Sequence, residues 1–359
     1  MNITIVGGGN IGTQFAVHCA WKRHNVVIYG SKPERFDRHL CIVDETGAVT
    51  MEGDINCATD DAEKAFGSAD IIFVTVPAFA MRDIEEKIYP YVRAGVKIGL
   101  IPGTGGGECV FGRCIDKGAV LFGMQRVPSV ARLVEYGRKV CASGYRKELF
   151  VAALPHRYTG EIRDFIASVF DMDCTAMPNY LNLTLTPSNP ILHTTRLRVL
   201  FKDYHEGVTY AGVPLFYEEW DDESSELLLK CDDEVQRICG ALTEFDLSCV
   251  KSLKEHYESS TPEQLTRKIS GIQSFKGLKT PTVEVDGRYI PDLTSRYFTA
   301  DFTFGLGILV QIAGFAGVDV PNMRETLAWY DKIALAGERF RFSDFGIRDA
   351  QDFYNLYRR

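Results

Sequence analysis

"ITIVGGGNIGTQFAVHCA", residues 3–20, decides how the first half of the chain is read. A short β-favouring run leads into Gly7, Gly9 and Gly12, and an apolar stretch with helical spacing follows. GxGxxG alone is a weak pattern, but directly after a strand and at the start of a helix it has a mechanism. Gly7 permits the tight turn, Gly9 lets backbone approach a pyrophosphate, and Gly12 lets helix and strand pack closely. Asn10 and Ile11 open the helix and join the cofactor-binding set. The helix N-terminus offers unpaired N–H groups and a positive dipole end to phosphate. The bland alternative is a strand–helix turn that holds nothing.

Outward from this stretch, "NVVIY", "DIIFVTV", "VKIGLI" and "AVLFG" read as strands. Helical spacing fills residues 11–24, 81–93 and 106–117. The alternation predicts a doubly wound α/β domain with a parallel sheet. "KVCASG" and "ELFVAAL" are expected to extend that sheet, with a helix at 158–170 after them. Strand-like runs become scarce beyond about residue 180. Residues 223–245 set Leu228, Cys231, Val235, Ile238, Leu242 and Phe245 on one helical face. Further helices are expected at 190–204, 262–270, 302–317 and 322–336. The division is therefore a Rossmann domain over 1–180 and an all-helical substrate domain over 181–359.

The 359 residues suit two domains, and the formal net charge of −8 argues against a general nucleic-acid binder. Ten cysteines without CxxC or Cys/His zinc spacing imply reduced thiols in a cytoplasmic protein. No basic leader precedes the first strand, and the apolar run at 302–318 is short and glycine-rich, so a buried helix is expected there, not a membrane span. HExxH, Walker and GxSxG patterns are missing from the sequence, and no metal is expected.

An NAD site carries Asp or Glu at the end of the second strand, where this chain reads "VVIYGSKPERF" (26–36). Ser31, Lys32 and Arg35 stand in its place and suit a 2′-phosphate. NADP(H) is favoured, NAD(H) stays open, and ordinary solvated loop charges are the other reading. Pro77 in "TVPAFA" is a candidate wall for the cofactor. The glycines of "IPGTGGGE" (101–108) admit backbone near nicotinamide or substrate, or form a simple turn.

Five stretches in order, "TVPAFA", "IPGTGGGE", "GMQRVPSVARLVEYGRKV", "SNPILHTTRL" and "SRYFTADFTFGL", resemble the opine dehydrogenase family of octopine/nopaline type. The resemblance covers nearly the whole chain and is least diagnostic from about 205 to 285. It implies an oxidoreductase that condenses an α-keto acid with an amino acid and reduces the imine. It places the catalytic histidine on His193 and the arginine and aspartate on Arg296 and Asp301. Thr194 follows His193 where the family often has proline, and "ADFTFGL" stands for its "EDxPYGL"; both departures concern substrate identity.

A histidine of ordinary basicity suits proton transfer at neutral pH. Asp301 is expected to orient it, or else to cap the apolar helix that follows. Arg296 and Arg126, with Gln125 beside it, are the candidate carboxylate clamps. Arg132 reads better as a structural ion pair. Glu218, Glu219, Asp221 and Asp222 either favour a cationic amine or form a solvated run. A homodimer is compatible with the reading. Two alternatives stand beside it. One is a ketopantoate- or 3-hydroxyacid-type reductase, whose family uses a lysine near the start of the second domain; Lys202 is the nearest match. The other is a non-catalytic NADP-binding sensor.

Overall fold

The computed structural model describes all residues except 335, 336 and 338. Its strands are β1 (Asn2–Val6), β2 (Asn25–Tyr29), β3 (His39–Val43), β4 (Val49–Asp54), β5 (Cys57–Thr59), β6 (Ile71–Val74), β7 (Lys97–Leu100), β8 (Val120–Met124), β9 (Val130–Glu135), β10 (Lys139–Ser143), β11 (Glu148–Leu154), β12 (Asp173–Ala176), β13 (Thr282–Val285) and β14 (Arg288–Pro291).

Eight of them form one sheet in the order β12-β11-β8-β7-β6-β1-β2-β5. All neighbours are parallel except β11 against β8. Their apolar runs are buried on both faces, as parallel strands between helices require. Phe15 of the helix Asn10–Trp21 meets Phe73 and Phe170 edge-on at 5.1 and 4.9 Å, fixing that helix to the sheet. Strand order reverses between β1 and β6. The Gly7–Gly12 loop therefore lies at the switch point, outside the carboxyl ends of the strands, where ligands bind in such sheets.

A second sheet of four strands, β4-β3-β10-β9, was not expected. "ELFVAAL" joins the main sheet as β11, but "KVCASG" does not: it is β10, parallel to β3 and antiparallel to β9. Parallel β3 and β10 are separated by almost a hundred residues, and no local pattern specifies such a pairing.

Contacts divide the chain into residues 1–184 with 355–359, and residues 185–354. The C-terminal five residues thus belong to the first unit, not to the 181–359 domain expected. Arg359 O accepts from His156 N at 2.9 Å, and Tyr357 donates to Glu108 Oε1 at 2.6 Å. Thr184 Oγ1 donates to the same oxygen at 2.6 Å. Glu108 is fully buried, and that burial pushes its carboxyl above the ordinary value, with the two hydroxyls opposing. A raised acid contributes stability that is complete below its unfolded value and lost as pH rises through its folded value. Glu108→Gln is expected to remove that alkaline loss. The variant's melting temperature should gain on that of the parent as pH rises above the ordinary carboxylate range; parallel curves would show that burial does not raise this carboxyl.

The second unit is helical apart from the β13–β14 hairpin. Asp221 caps the long helix Asp222–Ala241 through Ser224 N, and Leu228, Cys231, Val235 and Ile238 line its buried face. Leu242 and Phe245, expected on that helix, follow its end. The expected 322–336 helix is Pro321–Ile333, and positions 335 and 336 lie outside the described residues. Arg296–Ala316 is long and apolar enough to cross a membrane by length and composition. Phe302, Leu306, Ile308, Leu309 and Ile312 are nevertheless buried inside this unit, as in a core helix.

Candidate active site

In the first unit, Gly7 takes a φ of +98°, and its N–H donates to Tyr29 O at 2.9 Å. A Cβ at Gly12 would lie 1.7 Å from Gly7 O, so only glycine lets the helix start this close to the turn. No side chain caps the helix, whose N-cap is Gly9, and a Cβ at Gly9 would meet nothing within 4 Å. Uncapped N–H groups facing open space fit the pyrophosphate of a dinucleotide. Ile11 is half-buried against the core, and Asn10 Oδ1 accepts from Leu133 N at 2.8 Å. The Asn10 side chain thus ties the helix to the second sheet through its Oδ1.

No acid ends β2. Ser31 and Lys32 are exposed, and the exposed Arg35 lays its guanidinium 4.6 Å from the Tyr136 ring. Pro77 is exposed at the start of a short 3-10 turn after β6. Gln125 and Arg126 follow β8, half-buried, with Gln125 N donating to Phe150 O. In the 101–108 loop, a Cβ at Gly103 would come within 2.8 Å of Gly123 Cα, so this glycine serves backbone packing inside the unit.

In the second unit, the helix Asn189–Leu200 begins with Ser188 O accepting from Ile191 N and Leu192 N. His193 is its fifth residue, just past the first turn. The helix dipole falls off within that turn, so hydrogen-bond partners, and not the dipole, govern the ring. Those partners are close: His193 Nδ1 lies 2.7 Å from Asp301 Oδ2, and Nε2 lies 2.6 Å from the Tyr217 hydroxyl. A carboxylate only accepts, so Nδ1–H donates to Asp301. The neutral ring then accepts at Nε2 from the phenol. His193 is 4% exposed, and the Tyr297 ring lies 4.4 Å from it, centroid to centroid.

Asp301 sits between the short helix Arg296–Thr299 and a π-helical turn, Phe302–Leu306. Asp301 is the N-cap of that turn but makes no side-chain cap hydrogen bond; its carboxylate bonds His193 instead. A Cβ at Gly305 would come within 2.9 Å of Pro190, so glycine there allows the π turn to press against the start of the histidine helix. Arg296 is exposed, 5.9 Å from the Tyr297 ring, and pairs with no carboxylate among the described residues. It has a free fork for a substrate carboxylate.

Lys202, the lysine weighed for a ketopantoate-type reductase, is an exposed partner of Glu223 at 2.9 Å. In the acidic run, Glu218 accepts from Gly277 N, Glu219 from Leu215 N, and Asp221 pairs with Arg196. Three of its four carboxylates thus hold the local backbone and give no argument for a cationic amine. Tyr217, Tyr297 and Arg196 were not expected at the site. Arg196 stands in the quoted "SNPILHTTRL", three residues after His193, but no spacing distinguishes a buried arginine from a solvated one.

Residues 176–334 match the family model described as NAD/NADP octopine/nopaline dehydrogenase, alpha-helical domain. Residues 2–101 match that of the NAD-dependent glycerol-3-phosphate dehydrogenase N-terminus. The chain is 25% identical to tauropine dehydrogenase of Arabella iricolor, covering 99% of this chain and 98% of that protein. It is 26% identical to octopine dehydrogenase of Mizuhopecten yessoensis, covering 92% and 89%. The solved octopine dehydrogenase with NADH and L-arginine superposes with a TM-score of 0.84 at 23% identity, over 98% of this chain and 97% of that one. At that identity the superposition establishes the fold.

Proposed function

The chain belongs to the opine dehydrogenase family, octopine/nopaline type, and from that premise we propose which of its residues carry the reaction. It is an oxidoreductase dependent on a nicotinamide dinucleotide, and it joins an α-keto acid to an amino acid by reducing the imine between them. The observation that carries the assignment is the buried His193–Asp301 hydrogen bond of 2.7 Å. His193 serves as general acid-base, giving a proton to the departing carbonyl oxygen and taking one from the amine. Asp301 fixes the tautomer and balances the charge when the ring is protonated. Arg296 holds the keto-acid carboxylate, with Gln125 and Arg126 as further substrate contacts. The Gly7–Gly12 loop holds the pyrophosphate and Pro77 walls the cofactor. The bound dinucleotide supplies the hydride.

NADP(H) is the preferred cofactor in this reading. Its support is the missing acid after β2 and the exposed cations Lys32 and Arg35 beside Ser31. Arg35 already stacks on Tyr136, which orients it without neutralising it. Replacing Lys32 and Arg35 together with alanine is expected to raise KM for NADPH by about a hundredfold or more, since charge-assisted hydrogen bonds contribute about 1.5–3 kcal/mol each. KM for NADH should change little; an equal rise for both would place these side chains off the 2′-phosphate. The ten free thiols support a reducing, cytoplasmic setting.

The test is a matrix of keto acids crossed with amino acids, each with NADPH and with NADH. Oxidation that requires both a keto acid and an amine is expected. Oxidation with keto acid alone would favour a ketopantoate-type reductase, and tight binding with no turnover would favour a sensor.

A further inference from the structure

Both ring nitrogens of His193 are held, and only one of the two partners belongs to the acid-base pair just described. Tyr217 supplies the other, 2.6 Å from Nε2. It is 6% exposed, and its ring stacks on Phe275 at 4.4 Å and on Trp220 at 6.3 Å. The segment that carries it is pinned from several sides. Phe216 N donates to Leu278 O at 2.9 Å and Leu215 N to Glu219 Oε2 at 2.6 Å. Arg196, fully buried and three residues after His193, donates to Phe216 O at 3.2 Å and to Glu219 O at 2.6 Å. The same guanidinium bonds Asp221 and Ser224. One helix therefore supplies both the imidazole and the fork that holds the segment carrying its phenol partner.

We infer that Tyr217 is a positioning residue of the acid-base site, the third member of a Tyr217–His193–Asp301 chain that holds the imidazole by both nitrogens and follows its proton. With the ring neutral, the phenol O–H donates to Nε2 and Nδ1–H donates to Asp301. With the ring protonated, the phenol rotates its hydrogen away and its oxygen accepts from Nε2–H. No O–H bond of the phenol breaks; when the proton passes between ring and substrate, the substrate takes the phenol's place at Nε2. Burial pushes the Tyr217 hydroxyl above its ordinary value, so it stays protonated throughout. The titratable groups that face the ring are Asp301 and Tyr217 through hydrogen bonds and Tyr297 through its ring.

Phenylalanine at 217 keeps the stacking and removes the hydroxyl. A buried imidazolium N–H left unpaired costs more than an unpaired neutral nitrogen. The protonated ring is therefore disfavoured in Tyr217→Phe. In the reductive direction, where the protonated ring is the acid, the alkaline limb of the kcat/KM profile should move to lower pH. kcat should fall by about tenfold, less than the roughly 10²- to 10⁴-fold contributed by a group that itself transfers the proton, with KM for the dinucleotide unchanged. A profile that superposes on that of the parent, with equal kcat, would overturn the inference.

The kinetic arm rests on the opine-type reading, so a second arm does not. Histidine-¹⁵N NMR of the unaltered protein should show His193 protonated on Nδ1 and hydrogen-bonded at Nε2 near neutral pH. The Nε2 signal should shift in Tyr217→Phe. A ring protonated on Nε2 alone, or an unmoved signal in the variant, would overturn the inference even where no turnover is found. A protein that fails in the substrate matrix yet gives the expected spectra would lose the reaction assignment and keep the three-membered chain.

Discussion

Replacing His193 with alanine is expected to lower kcat by about 10²- to 10⁴-fold, the usual contribution of a positioned acid-base group. Dinucleotide binding should be intact, because the glycine loop proposed to hold the pyrophosphate belongs to residues 1–184 and the histidine to residues 185–354. The substitution opens a cavity beside Tyr297 and leaves Tyr217 and Asp301 without their shared partner. Some loss of melting temperature will therefore accompany the loss of turnover. The two effects are separated by assaying well below the melting temperature and by titrating NADPH through fluorescence. Equal loss of turnover and of NADPH affinity would make His193 structural. Asp301→Asn provides the companion result. Its amide presents either oxygen or NH₂ to Nδ1, so the ring loses its fixed tautomer while its volume is kept. Turnover should drop with little change in dinucleotide affinity.

What the sequence disclosed about this site follows from how local each signal is. Gly7, Gly9 and Gly12 are legible because turn, close approach and helix start lie within six residues, and the structure shows the positive φ of Gly7 and the tight packing at Gly12. The buried face of Asp222–Ala241 is legible for the same reason: its period is internal to one helix. His193 and Asp301 are 108 residues apart, and only resemblance brought them together. Tyr217 was missed because it lies in "PLFYEEW", a stretch without regular structure whose aromatic residues read as ordinary core. The second sheet was missed because β3 and β10 pair across the chain, and β4 has the mixed exposure of an edge strand. The bond from Leu133 N to Asn10 Oδ1 was not legible, because an asparagine at a helix start looks the same with or without such a partner.

Arg196→Met is expected to destabilise the helical unit strongly. The guanidinium is fully buried and makes four hydrogen bonds, to Asp221, Ser224, Phe216 O and Glu219 O. Burial pulls it below its ordinary value, and the Asp221 carboxylate opposes that. Methionine matches much of its volume but satisfies none of these groups. The Asp221 side chain is 48% exposed and recovers water, so the ion pair itself contributes little to the loss. The Phe216 carbonyl dominates, because a buried acceptor without a donor costs about 1–3 kcal/mol, and the part-buried Glu219 carbonyl adds less. Together they predict a loss of about 3 kcal/mol. For a unit of this size that lowers the melting temperature by roughly 6–12 °C. Arg196→Lys keeps a charge that reaches Asp221 but loses the planar fork to the carbonyls, and it should recover less than half of the difference. A loss under about 1 kcal/mol in Arg196→Met would show that the 215–221 segment holds its shape without the arginine. Tyr217 would then owe its place at Nε2 to its own stacking on Phe275 and Trp220.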